Sequence, residues 1–333
     1  MKNVVIAGAT GAVGNEFLKL LEARDFPVKN LRLLASARSI GKKLEYRGEK
    51  IPVEQLTSKS FSGVDLAFFS AGRESSKVYI PHAVESGTVV IDNSSAFRMD
   101  PDVPLVVPEI NPDTAFSHKG IIANPNCSTI QMVVALNPLH KAAEIKRVVV
   151  STYQSTAGAG AKGMNELLNQ TRAWANGETL EVSSFPSQIL FNLFPHVDIF
   201  MENGYTKEEM KMINETKKIL DKSVEITATC VRVPVLVSHA ESINIEFEKD
   251  FTLEKVKNLL ENAEGCKVVN DQKDGGYITQ LEAAGKDETF ISRIRKDNTN
   301  EKAINLWIVS DNLLRGAALN AVEIAEAYIK TKQ

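Results

Sequence analysis

Apolar residues in this chain fall into short unbroken blocks separated by longer stretches in which they recur every three or four positions. The blocks predict buried strands and the periodic stretches predict helices. In the first part of the chain the two alternate. VVIA at 4–7 predicts a strand, followed at once by GATGAVG at 8–14 and a helix over 15–24. LRLLA at 31–35, VDLAFF at 64–69 and VVI at 89–91 predict three more strands, with a helix over 74–86 between the last two. LVVP at 105–108 and GIIA at 120–123 read as two further short strands. This alternation is that of an open parallel sheet in an α/β domain.

Beyond residue 126 the pattern changes. A helix over 130–139 carries Met132, Val133, Leu136 and Leu139 on helical spacing, with Ser128 as its N-cap. RVVVSTY at 147–153 is a β-branched strand, followed by a glycine-rich loop at 155–160 and a helix over 161–175. Thr206 and Glu209 are spaced as a capping box at the head of a charged helix over 206–220. Strands over 227–237 and 242–248 read as an antiparallel pair, a helix covers 252–262, and strands cover 290–295 and 303–309. Strands joined by short turns predict a mixed or antiparallel sheet here. An alanine-rich helix over 313–330 is expected to return to the first domain. The expected fold class is therefore α/β: a Rossmann-like nucleotide-binding domain, residues 1–126 plus the C-terminal helix 313–333, and an α+β domain, residues 127–312.

Length and composition agree with two domains and exclude several functions. A chain of 333 residues is long for one core. Its 43% hydrophobic and 24% charged residues are an ordinary globular mixture, and a net charge of −3 gives no reason to expect nucleic acid or an anionic membrane as partner. Cys127, Cys230 and Cys266 are too dispersed for a CxxC site or a disulfide framework. With no HExxH and no clustered His/Cys pattern, no metal is expected. The first strand starts directly after Asn3, leaving no room for a signal peptide, and no apolar run approaches a membrane span. A cytoplasmic protein is expected.

Two stretches carry candidate chemistry. Gly8, Gly11 and Gly14 lie between a strand and a helix, where a glycine-rich turn lets the backbone approach a pyrophosphate at the helix N-terminus. The spacing is GxxGxxG rather than GxGxxG. After the second strand, Ser36, Ala37, Arg38 and Ser39 offer no carboxylate for a ribose 2′-hydroxyl, whereas Arg38 suits a 2′-phosphate. NADP(H) is therefore favoured over NAD, with a solvated loop charge as the plain alternative for Arg38. The second stretch is NPNCSTI at 124–130, which sets Cys127 at the start of a helix. Unpaired N–H groups there favour the thiolate, a strong nucleophile. The plain alternative is a small buried hydrophobe.

The motifs NPNCSTIQ at 124–131, Gln154 before its glycine loop, EEMKMINETKKIL at 208–220, RVPVLVSHAES at 232–242 and DNLLRGAALNAVEIAE at 311–326 resemble aspartate-β-semialdehyde dehydrogenase, in order and over almost the whole chain. The compact second domain is most similar to the form of Gram-positive and many other bacteria. The resemblance implies a glyceraldehyde-3-phosphate dehydrogenase-like second domain for catalysis and dimerisation. It also implies NADPH-dependent reduction of L-4-aspartyl phosphate to L-aspartate 4-semialdehyde, on the route through diaminopimelate to lysine and on those to threonine, methionine and isoleucine.

In that scheme Cys127 forms the thioacyl enzyme, His239 shuttles protons with a pKa near neutrality, and Gln154 orients the substrate. Arg232 clamps the α-carboxylate. Glu208 holds the amino group, although alone it would read as half of a solvated i,i+3 pair with Lys211. Arg98, Lys211 and Asn126 are assigned to phosphate. Thr10, Gly11, Ala12 and Val13, after Gly8, cradle the pyrophosphate, and Ala37 with Arg38 the 2′-phosphate. Ala157, Gly158 and Asn312 lie at the nicotinamide end, although many relatives carry Gln at the last position. A homodimer through the second domain, whose sheet would otherwise expose an apolar face, is implied, with a tetramer as the alternative. The nearest rival is N-acetyl-γ-glutamyl-phosphate reductase, whose motif reads NPGCY rather than NPNCS. Malonyl-CoA reduction and a noncatalytic NADP-binding paralogue are the others.

Overall fold

The computed structural model describes residues 1–330; the last three positions of the expected 313–333 helix lie outside them. The chain divides into two compact units, Met1–Asn126 with the segment from Ala317, and Cys127–Gly316.

The first unit is built on a seven-stranded sheet. Its elements are β1 (Lys2–Ala7), α1 (Ala12–Ala23), β2 (Val28–Ala35), β3 (Lys43–Tyr46), β4 (Glu49–Gln55), β5 (Leu66–Phe69), α2 (Arg73–Glu85), β6 (Val89–Asp92) and β7 (Ile121–Ala123). The strand order is β3-β4-β2-β1-β5-β6-β7. Only the β3–β4 pair is antiparallel. β1 is central because its last four residues are apolar on both faces, which suits a strand covered on both sides. Val5, Leu34, Phe61, Phe69, Ile80 and Val90 form one core cluster. The β3–β4 hairpin does not register in the hydrophobic pattern. Its strands are charged, and its turn rests on left-handed Arg47 and Gly48.

The stretch at 105–108 is buried but is no strand. Leu105 makes one isolated bridge to Ala123, prolines at 104 and 108 supply no donors, and the Asn111 side chain satisfies Val107 N and Leu105 O, both at 2.9 Å.

The second unit continues with α3 (Cys127–Ala143), β8 (Ile145–Gln154), α4 (Gly160–Ala175), α5 (Lys207–Ile219), β9 (Glu225–Arg232), β10 (His239–Phe247), α6 (Leu253–Glu261), β11 (Cys266–Val268), α7 (Gln280–Ala283), β12 (Thr289–Lys296) and β13 (Ala303–Ser310). Its six strands run β11-β12-β13-β10-β8-β9. Met132, Leu136 and Leu139 of α3 join Ile243, Ile245, Val148 and Leu306 in the core between helices and sheet.

Three expectations are corrected here. Ser128 is not an N-cap, because α3 already starts at Cys127. β9 and β10 are not a hairpin. Residues 233–238 pass over the end of β8, bonding Val233 N to Gln154 O and receiving Thr156 N and Ala157 N at Val235 O and Leu236 O. β8 thus lies between them, parallel to β9 and antiparallel to β10. Nor is the open face of the sheet uniformly apolar: Ser151, Ser242 and Asn244 reach it. Exposed apolar side chains of this unit include Trp174, Phe191, Leu193, Ile199, Phe200 and Leu281, with Trp174 edge-on to Phe191.

The last helical segment is split. A π-helical turn, Leu314–Ala318, leads into α8 (Leu319–Lys330), and the unit boundary falls at Ala317 rather than at 313. α8 packs on α1, where Arg24 grips the Glu326 carboxylate through two bonds of 2.8 and 2.7 Å.

Candidate active site

One end of the second sheet carries a lateral row of polar residues. Arg232 of β9 pairs with Gln154 of β8, Gln154 with His239 of β10, and His239 with Ser310 of β13. Directly opposed residues share a face, so all four lie on the side packed by α3. All four are buried. Cys127 opens α3, partly exposed, and is one of the groups that counter the lowering of the Arg232 pKa by burial.

The loop after β8 shapes the centre of the row. The Ser155 N–H donates to His239 Nδ1 at 3.0 Å, which makes Nδ1 the acceptor and leaves the ring hydrogen on Nε2. Nε2 has no hydrogen-bond partner among the described residues. Arg232 Nη1 donates to the Ser155 carbonyl. Gly158 lies against both side chains: a Cβ there would stand 2.8 Å from Arg232 Nη1 and 3.2 Å from His239 Nε2. Burial, then the Arg232 charge, pushes the imidazole down to about 3. It is uncharged at neutral pH, well below the range expected of a shuttle. Burial also lowers the Arg232 pKa, but a guanidinium keeps its charge.

Beside the row, α5 presents a partly buried ion-pair group. Lys211 Nζ lies 2.9 Å from Glu208 and 2.9 Å from Asp198, and Gln154 Nε2 donates to Glu208 Oε1 at 3.3 Å. The Glu208 side chain is only 6% exposed, so this is not a solvated surface pair. Burial alone would lower the Lys211 pKa, but the two carboxylates outweigh it and hold the ammonium above its usual range. The capping box at Thr206 and Glu209 fixes the start of this helix.

Glu241 stands one step from His239 on the same face of β10, fully buried, and neither of its carboxyl oxygens has a hydrogen-bond partner among the described residues. Burial raises its pKa well above 4.5 and so favours the neutral form. Such a carboxyl favours the folded state fully at pH below 4.5. That advantage falls by about 1.4 kcal/mol per pH unit as the unfolded chain ionises first. Glu241→Gln is therefore expected to gain stability over the parent between pH 5 and pH 8 in urea denaturation. Parallel pH dependences would refute a neutral Glu241.

In the first unit the glycine loop is shaped to receive an anion. Gly8 has φ +89°, and a Cβ on it would stand 2.3 Å from Ser70 O. Gly11 gives α1 no side-chain cap and its first turn holds no acid, so the helix N-terminus at Ala12 and Val13 is open to negative charge. Thr10 Oγ1 meets Ser39 Oγ at 3.1 Å, joining this loop to the 3₁₀ turn Ala37–Ser39, where Arg38 is exposed. Arg98 is buried and donates to Asn124 O and Asn93 O, each at 2.8 Å, beside the segment ending at Asn126. The glycine loop and the Ala37–Ser39 turn fit a dinucleotide phosphate.

The second unit thus gathers Cys127, Gln154, Ala157, Gly158, Glu208, Lys211, Arg232, His239 and Asn312, and the first holds the glycine-loop residues, Ala37, Arg38, Arg98 and Asn126. Sequence reasoning missed Ser155, Asp198, Glu241 and Gly316, whose added Cβ would lie 2.8 Å from Cys127 Cβ. Only Ser155 had a visible signal, its place next to Gln154. No group of three or more His, Cys, Asp or Glu among the described residues could hold a metal, and no described helix is long and apolar enough to cross a membrane.

Comparison with known proteins matches both halves. Residues 3–118 match the semialdehyde dehydrogenase NAD-binding domain, and residues 136–315 the semialdehyde dehydrogenase dimerisation domain. Aspartate-semialdehyde dehydrogenase of Aquifex aeolicus is 53% identical, covering 98% of each chain. The crystal structure of aspartate semialdehyde dehydrogenase II of Vibrio cholerae complexed with ASA superposes with a TM-score of 0.96 at 47% identity, covering 99% of this chain and 98% of that one. The Candida albicans enzyme with NADP gives 0.76 at 25% identity, covering 99% and 98%. With both domains matched in order and relatives of this identity aligned end to end, the chain belongs to the aspartate-semialdehyde dehydrogenase family.

Proposed function

We propose that this chain reduces L-4-aspartyl phosphate to L-aspartate 4-semialdehyde and inorganic phosphate, reversibly, with NADPH. The carrying observation is the Arg232–Gln154–His239 row at one sheet end, in the unit that Cys127 opens. The Cys127 thiolate attacks the acyl carbon; the C–S bond forms as the carbon–oxygen bond to phosphate breaks, and phosphate leaves with the electron pair. NADPH, when bound, supplies the hydride that reduces the thioester carbon. The oxygen left negative takes its hydrogen bond from His239 Nε2–H, the one unpartnered polar hydrogen on this ring. Re-forming the carbonyl then expels the Cys127 sulfur and frees the aldehyde.

Arg232 clamps the α-carboxylate bidentately, Glu208 holds the α-amino group, and Gln154 lies between them. Neutralising Arg232 with substrate removes one of the two influences depressing His239, so its basicity rises as the site fills. Lys211, Arg98 and Asn126 take the phosphate. Gly8, Thr10, Gly11, Ala12 and Val13 hold the pyrophosphate, Ala37 and Arg38 the 2′-phosphate, and Ala157, Gly158 and Asn312 the nicotinamide end. The NADP in the Candida albicans relative and the ASA in that of Vibrio cholerae, which we read as aspartate semialdehyde, support this reading. The protein is proposed to act in the cytoplasm as a homodimer through its second unit, supported by the dimerisation-domain match, with a tetramer as the alternative outcome of sedimentation.

The test is NADP reduction, dependent on phosphate, with L-aspartate 4-semialdehyde compared against N-acetylglutamate semialdehyde and malonate semialdehyde. Turnover is expected on the first. Inactivity on it, with turnover on either of the others, would replace the assignment.

A further inference from the structure

We infer that Asn312 is a positioning residue for His239: one amide oxygen ties together the two backbone segments around the imidazole, so that its proton is kept on Nε2. The inference builds on His239 as the hydrogen-bond donor of the proposed reaction and gives Asn312 a task beyond a cofactor contact.

Asn312 Oδ1 accepts two hydrogen bonds, from Ser238 N at 2.9 Å and from Ser155 Oγ at 3.1 Å. The first donor immediately precedes His239. The second belongs to the residue whose N–H meets His239 Nδ1. A backbone N–H can only donate, so the amide oxygen, not the nitrogen, faces Ser238. Both lone pairs of that oxygen are then used. The same logic fixes Ser155. Its hydroxyl hydrogen must point at Oδ1, which cannot donate, leaving none for Nδ1, 3.2 Å away. The Ser155 N–H is then the donor that Ser155 offers Nδ1, and a proton on Nδ1 would face that N–H.

The arrangement is held under strain. Ser238 has φ +74°, a strained conformation that a non-glycine residue keeps only when its surroundings impose it. The Asn312 bond to Ser238 N and the Gln280 bond to Ser238 O, at 2.7 Å, impose it. Asn312 itself is buried in the segment after β13.

The charged groups felt at the imidazole are Arg232 from β9 and Glu208 from α5. Along β10 itself, burial raises the Glu241 pKa and favours its neutral form. α3, packed on β10, carries the Cys127 thiol at its first position. None of these bonds Nδ1, so the tautomer depends on the Ser155 segment and its anchor.

The deciding measurement is 15N NMR of histidine-labelled enzyme without substrate or cofactor. The parent should show His239 as a single Nε2–H tautomer through pH 5.5–8. Asn312→Leu, similar in size but with no acceptor, should give tautomer averaging and titration at higher pH. It should also lower kcat by about 10–100-fold, in addition to any rise in KM for NADP from the lost cofactor contact. Asn312→Asp, which keeps an acceptor oxygen, should restore the single tautomer. Should Asn312→Leu fail to fold, Ser155→Ala is expected to show the same change to a smaller degree. Unchanged 15N shifts in both Asn312→Leu and Ser155→Ala, or a rise in KM for NADP alone, would overturn the inference. Because the tautomer is read on unliganded protein, that failure is distinct from failure of the proposed reaction, which the substrate comparison tests.

Discussion

Cys127→Ala is expected to lower kcat by about four orders of magnitude or more, the scale seen when a covalent nucleophile is removed. No other described thiol can substitute. Cys230 is buried in the row behind the site, where burial raises its pKa, and Cys266 lies on β11 at the far edge of the sheet. The change removes one atom from the first turn of α3 and adds none, so the fold and NADP affinity should be kept. Intact-protein mass spectrometry with aspartyl phosphate and no NADPH should show an acyl adduct on the parent and none on the variant. Residual turnover within 100-fold of the parent would rule out the thioacyl route.

The second large effect is at Arg232. Arg232→Leu is expected to reduce kcat/KM by about 10³-fold, close to the 3–5 kcal/mol that follows when one partner of a buried charge pair is deleted. Arg232→Lys should recover only part of this, since an ammonium cannot reproduce the bond to Ser155 O and also grip a carboxylate bidentately. The variant also carries a pH signature. His239 is depressed to about 3 by burial first and by Arg232 second. A histidine buried in its neutral form contributes stability that is complete above its unfolded value of about 6.5 and is lost as pH falls toward the folded value. Removing Arg232 raises the folded value and shortens that window, so Arg232→Leu should lose less stability than the parent between pH 6.5 and pH 4. An equal or steeper loss on acidification would show that Arg232 does not act on the imidazole.

Much of this site can be found along the chain. Cys127 stands out at a proline-marked helix start, and the glycine loop stands out between strand and helix. Gln154, Arg232 and His239 were brought to notice by the motif resemblance, since nothing in their local pattern sets them apart from strand-end polar residues. Asp198 could not be found at all, because it reaches Lys211 from an irregular segment thirteen positions earlier in the chain. Glu241 was equally hidden: in an alternating strand, a glutamate two residues after a histidine says nothing about whether water can reach it. The misreadings share a cause. The 105–108 block has the composition of a strand, yet its prolines withhold donors and an asparagine side chain supplies what a neighbouring strand would have given. The expected β9–β10 hairpin does not form because β8 lies between the two strands, so neighbours in sequence are not neighbours in the sheet.

What the chain determines by itself is local and periodic. Apolar blocks, the Thr206–Glu209 cap, the glycine turn after β1 and the thiol at the head of α3 follow from side-chain spacing, backbone freedom and capping chemistry, which act over a few residues. What only the tertiary structure decides is non-local: that β8 lies between β9 and β10 and so aligns Arg232, Gln154 and His239, and which of the buried groups keep their charge. Strand order depends on how distant segments share one core, and ionisation on how completely all of them together exclude water.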